Sequence, residues 1–477
     1  MKKIHLILLL CLLPLLVCGQ SLKTSYFSEY SSFRNRLNPA FMPRSNYVGF
    51  AALDNLGVGI TSNIGLSTLL YPSTDGKLMT FMHPDVSAQQ FLKALPKNPF
   101  LDVDVDTDIL HFGFYSSATN YWTFSLGVKV DLEANLPSEL FRFLKLGADA
   151  NPQVYHIDKF NVTQNAYAEL AVGYTHNFES LVPGLRFGAK AKFLASADRL
   201  DVRINSIDLT MSSDQWIAKT DAHANVMVKG FDVTADVENG ENANFDLNPI
   251  GGYGPAGYGA AFDFGLEYRL KLGSFFDSIR FSAAVTDLGF IAYNKSAIQQ
   301  FKSSGEFTYN GFQDIDPSQE MDFNTQLEEI QNNIMKLANL HEVETKKSLV
   351  ERLKPQVFIG VELPFLWNQM SFGVLYNTKF GYSTNRNELT LALSARPGKT
   401  FNFTASYSML NNAKSMGFLI ETTPRGGINL FLGCDYIFFN VMPQYYIPVD
   451  AINFNLRMGF NIAFGNKHVP KRPKKNR

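Results

Sequence analysis

The stretch of this sequence closest to a chemical motif is Gly252-Tyr253-Gly254-Pro255-Ala256-Gly257. Its glycine spacing matches the turn whose backbone amides bind the pyrophosphate of a dinucleotide. That turn must follow a strand and open a helix. Pro255, however, has no amide hydrogen, and the residues after Gly257 alternate as in a strand. We therefore interpret the segment as a glycine-rich loop tip.

The histidines do not form a recognisable catalytic or metal motif. No two of the seven after the first twenty residues have the spacing of a helical zinc site: His83, His111, His156, His176, His223, His341 and His468. The sequence contains no nucleophile elbow, so a hydrolase stays open only as a site assembled by folding from distant residues. We predict a protein that is not an enzyme and that uses no cofactor or metal. The formal net charge of −1 also predicts no nucleic-acid partner.

Charged side chains of both signs occupy the polar positions of alternating segments. They are Lys129, Asp131, Glu169, Arg186, Lys190, Asp263, Glu267, Arg269, Arg280, Glu388, Asp435 and Arg457. If these segments close into a barrel, the charges become candidate lumen-lining residues. They would then either line a permeation path or form a mixed-charge network that stabilises a plugged or narrow lumen, because enclosed charges need partners or water.

The segment from Ala451 to Phe464 indicates which kind of element positions such side chains. Its apolar residues fall on one face and its polar residues on the other, which is the periodicity of a strand. Fourteen residues exceed the ~9–11 that a tilted strand needs to cross a bilayer. One apolar and one polar face suit a barrel strand with lipid outside and water inside.

The same alternation recurs along the chain and predicts an all-β fold. We expect a transmembrane antiparallel β-barrel of about 14–16 strands, occupying residues 46–464. After the first twenty residues no run of eighteen apolar residues occurs, which argues against helical membrane spans. The short connections are expected on the periplasmic side and the long ones outside the cell.

Several local features are predicted within this barrel. Residues 66–108 are interpreted as a long loop and residues 194–198 as a turn between two strands. Helices are expected in two extracellular loops, at about 138–147 and 323–353. Cys434 is in register with the apolar face of its strand, together with Tyr436.

The first nineteen residues have the pattern of a secretory signal peptide. Two lysines precede an apolar core from Leu6 to Val17 and a small-residue cleavage site, and lipid attachment at Cys18 is the alternative. Export of this kind predicts a location in the cell outer membrane, with outer-membrane lipid as a partner. Residues 465–477 form a basic, proline-containing tail, expected in the periplasm.

Arg36-Leu37-Asn38-Pro39-Ala40-Phe41-Met42-Pro43 resembles the Asn-Pro-Ala signature near the start of FadL-type fatty-acid transporters and of PorV- and PorP/SprF-type barrels. Further short motifs are similar to a Bacteroidota family of outer-membrane barrels that is known only as a domain of unknown function. They are Tyr47-Val48-Gly49-Phe50, Gly57-Val58-Gly59-Ile60, Asn63-Ile64-Gly65-Leu66, Phe81-Met82-His83-Pro84 and Thr286-Asp287-Leu288-Gly289-Phe290-Ile291.

This resemblance implies a function and a plug. The N-terminal segment of FadL-type proteins forms a hatch inside the lumen, so residues 20–45 are expected to be hatch-like, with Asn38, Pro39 and Ala40 as the motif. The implied function is a FadL-like channel for a small hydrophobic ligand. The alternative is an envelope scaffold, or a secretion- or gliding-associated barrel, that docks protein partners and transports nothing.

Overall fold

The structure is a computed structural model, and it describes residues 22–29, 31–50, 55–73, 78–147, 154–211, 216–238, 242–273, 275–303, 305–309, 338, 340–345, 347–398, 400–410, 413–422, 427–437, 441–442, 447–449 and 451–465. The predicted signal peptide, the basic tail and residues 310–337 therefore lie outside the described residues, except for Gly465 at the start of the tail.

Strands dominate the described chain. They are β1 Asn46–Phe50, β2 Leu56–Gly65, β3 Leu70–Pro72, β4 Leu78–Thr80, β5 Phe100–Tyr115, β6 Asn120–Asn135, β7 Val154–Asn177, β8 Leu185–Met211, β9 Trp216–Val228, β10 Phe231–Glu238, β11 Asn242–Pro249, β12 Gly257–Lys271, β13 Ser278–Tyr293, β14 Ile298–Ser303, β15 Gly305–Tyr309, β16 Leu340–Val343, β17 Leu349–Arg352, β18 Gln356–Phe365, β19 Met370–Phe380, β20 Asn385–Ala395, β21 Phe401–Leu410, β22 Ala413–Thr422, β23 Ile428–Ile437, β24 Val441–Met442, β25 Ile447–Pro448 and β26 Ala451–Phe464. Short α-helices lie at Arg34–Leu37, Leu66–Leu69, Ala88–Ala94 and Ser138–Leu146, and 3-10 turns at Lys23–Phe27 and Lys295–Ala297.

The strands close into an antiparallel barrel. Each wall strand pairs with the next wall strand along the chain. Strands β9 to β11, between β8 and β12, and strands β14 to β16, between β13 and β17, lie outside the wall. Closure occurs at β1 and β2, which both pair with β5 on one side and with β26 on the other. If β1 and β2 count as one strand, and β17 and β18 as one, the wall has fourteen strands, the lower limit of the predicted 14–16.

The barrel has apolar residues outside and polar residues inside, as a bilayer-spanning barrel requires. On β8 the outward Phe193 is 52% exposed, whereas Asp263 of neighbouring β12 points inward and is 1% exposed. Strand β26 follows its predicted faces, since Asn453, Asn455 and Arg457 are buried on the inner side. None of the helices in the described ranges combines the length and hydropathy that a bilayer crossing needs.

The two ends of the barrel differ. Connections at one end, which we call the turn end, are short: 116–119, 178–184, 272–277, 366–369, 396–400 and 423–427. Connections at the other end, the loop end, include the long segments 66–99, 136–153 and 294–348. This asymmetry agrees with the predicted distribution of short and long connections.

Strands β7 and β8 continue past the wall at the loop end and carry an additional sheet. The outer half of β8 pairs with β9, which pairs in turn with β14 and β15, and β16 pairs with β14. The helix Ser138–Leu146 packs Leu140 and Phe143 against this sheet in a separate apolar core. We call the sheet with its helix the extension.

Strand-like alternation in the sequence also predicts two strands at about 199–211 and 221–237, but neither is a separate strand of the wall. The predicted turn at 194–198 is wrong, because β8 runs without interruption through these residues and the register merely shifts by one residue opposite Ala166 and Tyr167. Residues 199–211 therefore belong to the same strand as 185–193. The segment 221–237 falls on β9 and β10, which lie outside the wall.

Two loop predictions also need correction. Residues 100–108 belong to β5, and Asp102, Asp106 and Asp108 are buried on its inner face, so the acidic run marks a lumen wall instead of a solvated loop. Helix was predicted for 323–353, but Leu340–Val343 and Leu349–Arg352 are strands, and 323–337 lie outside the described residues. The predicted helix at 138–147 is present as Ser138–Leu146.

The apolar face predicted for β23 does not extend to the end of the strand. Leu430 and Leu432 are exposed as expected, but Cys434 is 6% exposed and Tyr436 points into the lumen, where its hydroxyl donates to Glu388 Oε2 at 2.8 Å. A bulge opposite Met416 and Phe418 shifts the register there. An extra residue in one strand changes which face the following side chains occupy.

Candidate functional site

The N-terminal segment lies inside the barrel. We call residues 22–29 and 31–42 the plug segment, and nearly all of them are buried. Among the described residues, hydrogen bonds between backbone groups of the plug stay within the plug, and no strand of the wall pairs with it. Every described hydrogen bond between plug and wall involves a side chain, such as that from the Arg396 guanidinium to the Phe27 carbonyl.

The Asn-Pro-Ala tripeptide forms a tight turn against the wall. Asn38 Oδ1 accepts a hydrogen bond from the Ala40 amide at 2.9 Å, and Asn38 Nδ2 donates to the carbonyls of Leu266 and Ala283 at 3.2 and 3.3 Å. Pro39 restricts both its own φ and the backbone of Asn38. The three predicted residues thus form a rigid bend that contacts β12 and β13.

Glycines on the inner face of the wall leave room for the plug. Five of them have no space for a Cβ atom because plug residues occupy it: Gly188, Gly265, Gly360, Gly373 and Gly433. A methyl group at Gly360 would lie 2.6 Å from Tyr26 Cε1, and one at Gly373 would lie 2.6 Å from Phe27 Cδ1. These glycines are required for close approach and not for an unusual backbone angle.

Polar side chains of the plug bind charged wall residues. Lys23 Nζ lies 3.1 Å from Glu388 Oε2, and the Thr24 amide donates to Asp435 Oδ1 at 2.9 Å. Glu388 and Asp435 were both predicted to line the lumen. Each now has a plug partner in addition to its neighbours on the wall.

Arg457 and Asp106 hold the plug to the strand that closes the barrel. The Arg457 guanidinium donates to Asp106 Oδ2 at 3.1 Å and to Asn55 Oδ1 at 2.5 Å. Arg36 of the plug donates to the same Asp106 carboxylate at 2.7 Å. One carboxylate therefore joins the plug to β26 through two arginines.

A chamber lies between the plug and the loop end. Its volume is about 110 Å³, and its charged lining is balanced, with eight acidic and eight basic side chains. The acidic ones are Asp102, Asp104, Asp106, Asp131, Glu169, Asp263, Asp287 and Glu388. The basic ones are Lys23, Arg36, Lys129, Lys190, Lys192, Lys354, Lys379 and Arg386.

Short ion pairs connect these charges. Lys192 Nζ lies 2.8 Å from Asp263 and 2.7 Å from Asp287, and Lys129 Nζ lies 2.9 Å from Glu169. Six of the predicted lumen-lining residues meet in this chamber: Lys129, Asp131, Glu169, Lys190, Asp263 and Glu388. The arrangement can accommodate water and small polar groups between these charges.

Four other predicted residues meet at the turn end. Arg186, Glu267, Arg269 and Arg280 line a second cavity of about 50 Å³ beside the plug. Arg186 Nη1 lies 2.9 Å from Glu267 Oε2, and Arg280 Nη2 lies 3.5 Å from Glu29 Oε1 of the plug. The predicted set is thus divided between two cavities, except for Asp435 and Arg457, which hold the plug.

Several chamber residues were missed by the sequence reasoning. Asp102 and Asp104 were assigned to a loop, although their alternation with Leu101 and Val103 was a usable signal. Asp287 lies at a bulge with a φ of 56°, where strict alternation fails. In the described parts of the chain no group of histidine, cysteine and acidic side chains has an arrangement that could hold a metal ion.

Solved structures with a similar architecture include two toluene transporters and a FadL homologue. The P. putida toluene transporter TodX is 9% identical, with 91% of this chain and 95% of that chain covered and a TM-score of 0.41. The Ralstonia pickettii toluene transporter TbuX is 10% identical, with 91% and 94% covered and a TM-score of 0.40. A Pseudomonas aeruginosa FadL homologue is 9% identical, with 92% and 95% covered and a TM-score of 0.30.

No curated protein matches the chain. Residues 39–435 match a family described as a family of unknown function, DUF5723. That range includes most of the barrel wall and most of the residues that line the two cavities, and it begins within the Asn-Pro-Ala turn. The predicted membership in a barrel family of unknown function is confirmed: this chain belongs to DUF5723.

Proposed function

We propose that this protein is a gated channel of the cell outer membrane and that the plug segment is its gate. The observation that carries the proposal is the divided lumen, in which a side-chain-held plug fills the turn end and a charged chamber lies beyond it. Because no backbone ladder joins the plug to the wall, the plug can leave without breaking the sheet.

The charged chamber supports a channel more than a static filler. Moving paired charges out of water is costly, and an apolar filling of the same volume would be at least as stable. A lumen that only had to be closed would gain nothing from eight acidic and eight basic side chains. The presence of these charges is explained if the chamber fills with water in an open state, because water then solvates them.

The outer-membrane location follows from the apolar outer face, together with the predicted signal peptide. In this orientation the turn end faces the periplasm and the loop end faces outside. The lipid-facing band requires outer-membrane lipid as a partner. The predicted plug therefore closes the channel from its periplasmic side.

The chamber favours small polar solutes as cargo. A small hydrophobic cargo, which the FadL resemblance implies, needs a route with an apolar lining. A small hydrophobic cargo therefore remains a prediction from the FadL resemblance.

Removal of the gate tests the proposal directly. Deletion of residues 26–44 should raise single-channel conductance in planar bilayers, while heat-modifiable gel mobility shows that the barrel still folds. Liposome swelling with sugars and amino acids, set against uptake of a toluene-sized apolar solute, then distinguishes the two cargo classes. A folded deletion variant that conducts no better than the intact protein would exclude the plug as the gate.

The extension favours a second function, that of an envelope scaffold. Its separate apolar core and the 27-residue strand β8 exceed what a channel rim needs. A scaffold predicts that the deletion lowers stability and leaves conductance unchanged. The conductance measurement therefore decides between the two functions.

A further inference from the structure

The turn-end cavity carries an excess of positive charge. Among the residues that the structure describes, five arginines and two glutamates line it, which gives a net charge of +3: Arg34, Arg44, Arg186, Arg269, Arg280, Glu29 and Glu267. Arg396 and Glu362 lie nearby but form an ion pair at 2.9 Å and add no net charge. Concentrated charge of one sign in an enclosed site strongly favours a counter-ion.

Arg34 is the side chain that most needs such a counter-ion. It is 5% exposed, and within the described residues its guanidinium forms no ion pair and its buried Nε has no hydrogen-bond partner. Its one specific contact is the face of Phe41, at 3.8 Å from the ring centre. A buried guanidinium without an acceptor is costly unless an acceptor enters the cavity that it lines.

The strand register supplies an independent observation. Arg269 of β12 and Arg280 of β13 are directly opposite each other in the antiparallel pair. Like charges at such positions destabilise a sheet. Glu29 lies 3.6 Å from Arg269 and 3.5 Å from Arg280, and Glu362 lies 3.1 Å from Arg280. Among the described residues around the cavity, the arginines still outnumber the carboxylates.

We propose that the cavity binds one phosphate-class oxyanion, which bridges Arg34 and Arg44 to the wall arginines. Guanidinium groups donate in a fixed fork that suits the several oxygens of such an anion. About 50 Å³ is more than one water needs. Arg186 and Arg269 are 27% and 22% exposed, so the site communicates with solvent at the turn end.

The ligand's phosphate can come from two sources, the free ion or a lipid headgroup at the periplasmic leaflet. In either case the bound anion joins the plug to the wall and stabilises the closed arrangement. The site requires only the plug position described above. It therefore stands whether or not the plug gates a channel.

Thermal unfolding of the full chain in uncharged detergent tests the site. Inorganic phosphate should raise the Tm in a saturable manner, and sodium chloride of equal ionic strength should not, because only specific binding stabilises by mass action. Equilibrium dialysis with labelled phosphate should give about one ion per chain. No saturable shift and no bound ion with either inorganic phosphate or phosphatidylglycerol micelles would overturn the proposal.

Variants locate the ligand. Arg34→Gln and Arg269→Gln should each weaken phosphate binding at least about tenfold. Arg142→Gln should have no effect, because this arginine pairs with Glu139 on the extension helix. Equal affinity in Arg34→Gln and the parent protein would overturn the site. If Arg34→Gln does not fold, Arg34→Lys keeps the charge without the fork, and undiminished binding by that variant would also overturn it.

The two phosphate sources are separated by comparing the ligands. A Tm shift with inorganic phosphate in lipid-free detergent assigns the free ion. A shift only with micelles that contain phosphatidylglycerol assigns the headgroup. Both results support the site, and neither depends on channel conductance.

Discussion

At the scale of single residues, the inner glycines explain how a barrel wall accepts a folded plug. A Cβ atom at Gly265 would lie only 2.8 Å from Pro39 Cδ and 2.9 Å from the Ala40 amide nitrogen. Side chains at these positions would overlap the Asn-Pro-Ala turn, although the backbone itself is ordinary extended strand. The glycines of the wall therefore provide the space on the inner face, and the Asn-Pro-Ala turn of the plug fills it.

Gly265→Val should displace the plug from the lumen. The overlap costs ~1–3 kcal/mol in the closed arrangement, whereas valine suits an open strand. Limited trypsin digestion of the folded variant should then cleave after Arg34 or Arg36, which are protected in the parent protein. The matched control is Gly273→Val, because no atom lies within 4 Å of a Cβ at Gly273. Equal protection of all three proteins would contradict the close fit.

Among the secondary-structure elements, the extension contains a histidine, His223, whose pKa is shifted by partial burial and by neighbouring cations. His223 of β9 stands directly opposite Arg203 of β8 and Lys302 of β14, so cations flank it on both sides. Partial burial and then the Arg203 charge lower the pKa of His223 below its ordinary value of 6.5. Asp201 and Asp221 oppose this shift without reversing it.

The extension should therefore lose stability in mild acid. A lowered pKa means that the folded extension prefers neutral His223, so the stability it contributes is complete above pH ~6.5 and decreases as the pH falls through the folded pKa. Hydrogen exchange of β9 amides, corrected for intrinsic rates, should show weaker protection near pH ~5 than near pH ~7.5. His223→Gln should reduce this difference, and an unchanged difference would show that another group is responsible.

At the scale of the whole molecule, barrel closure makes the plug part of the chamber. Strands β1 and β2, which follow the plug directly, join β5 to β26, so the residues that close the wall also place the plug inside it. The plug supplies Lys23 and Arg36 to the balanced chamber lining. Without the plug, eight acidic and six basic side chains remain.

The open barrel should consequently prefer cations. With residues 22–42 deleted, the reversal potential in a potassium chloride gradient should shift toward the potassium potential, because the described lining that remains has a net charge of −2. Raising the salt concentration should reduce this selectivity through screening. Anion selectivity of the deletion variant would mean that other charges control the path.

Much of the fold was predictable because each barrel strand must present apolar side chains to lipid and polar side chains to the lumen. That requirement puts a period of two into each strand, and it gave the correct faces of β26 and the β-barrel class. The same reasoning failed where the period breaks. The bulge near Tyr436 changes the inward face, and the register shift in β8 was interpreted as a turn.

Residue patterns alone were enough to predict the barrel, its approximate strand number and twelve of the charges that face inward. Folding in three dimensions was needed to show how those charges divide between the chamber and the arginine cavity, and that Asp435 and Arg457 hold the plug. The difference lies in the sequence distance over which each kind of contact acts. Alternation is a local property of one strand, whereas Lys23 and Glu388 are 365 positions apart in sequence and meet only because the closed wall surrounds the plug.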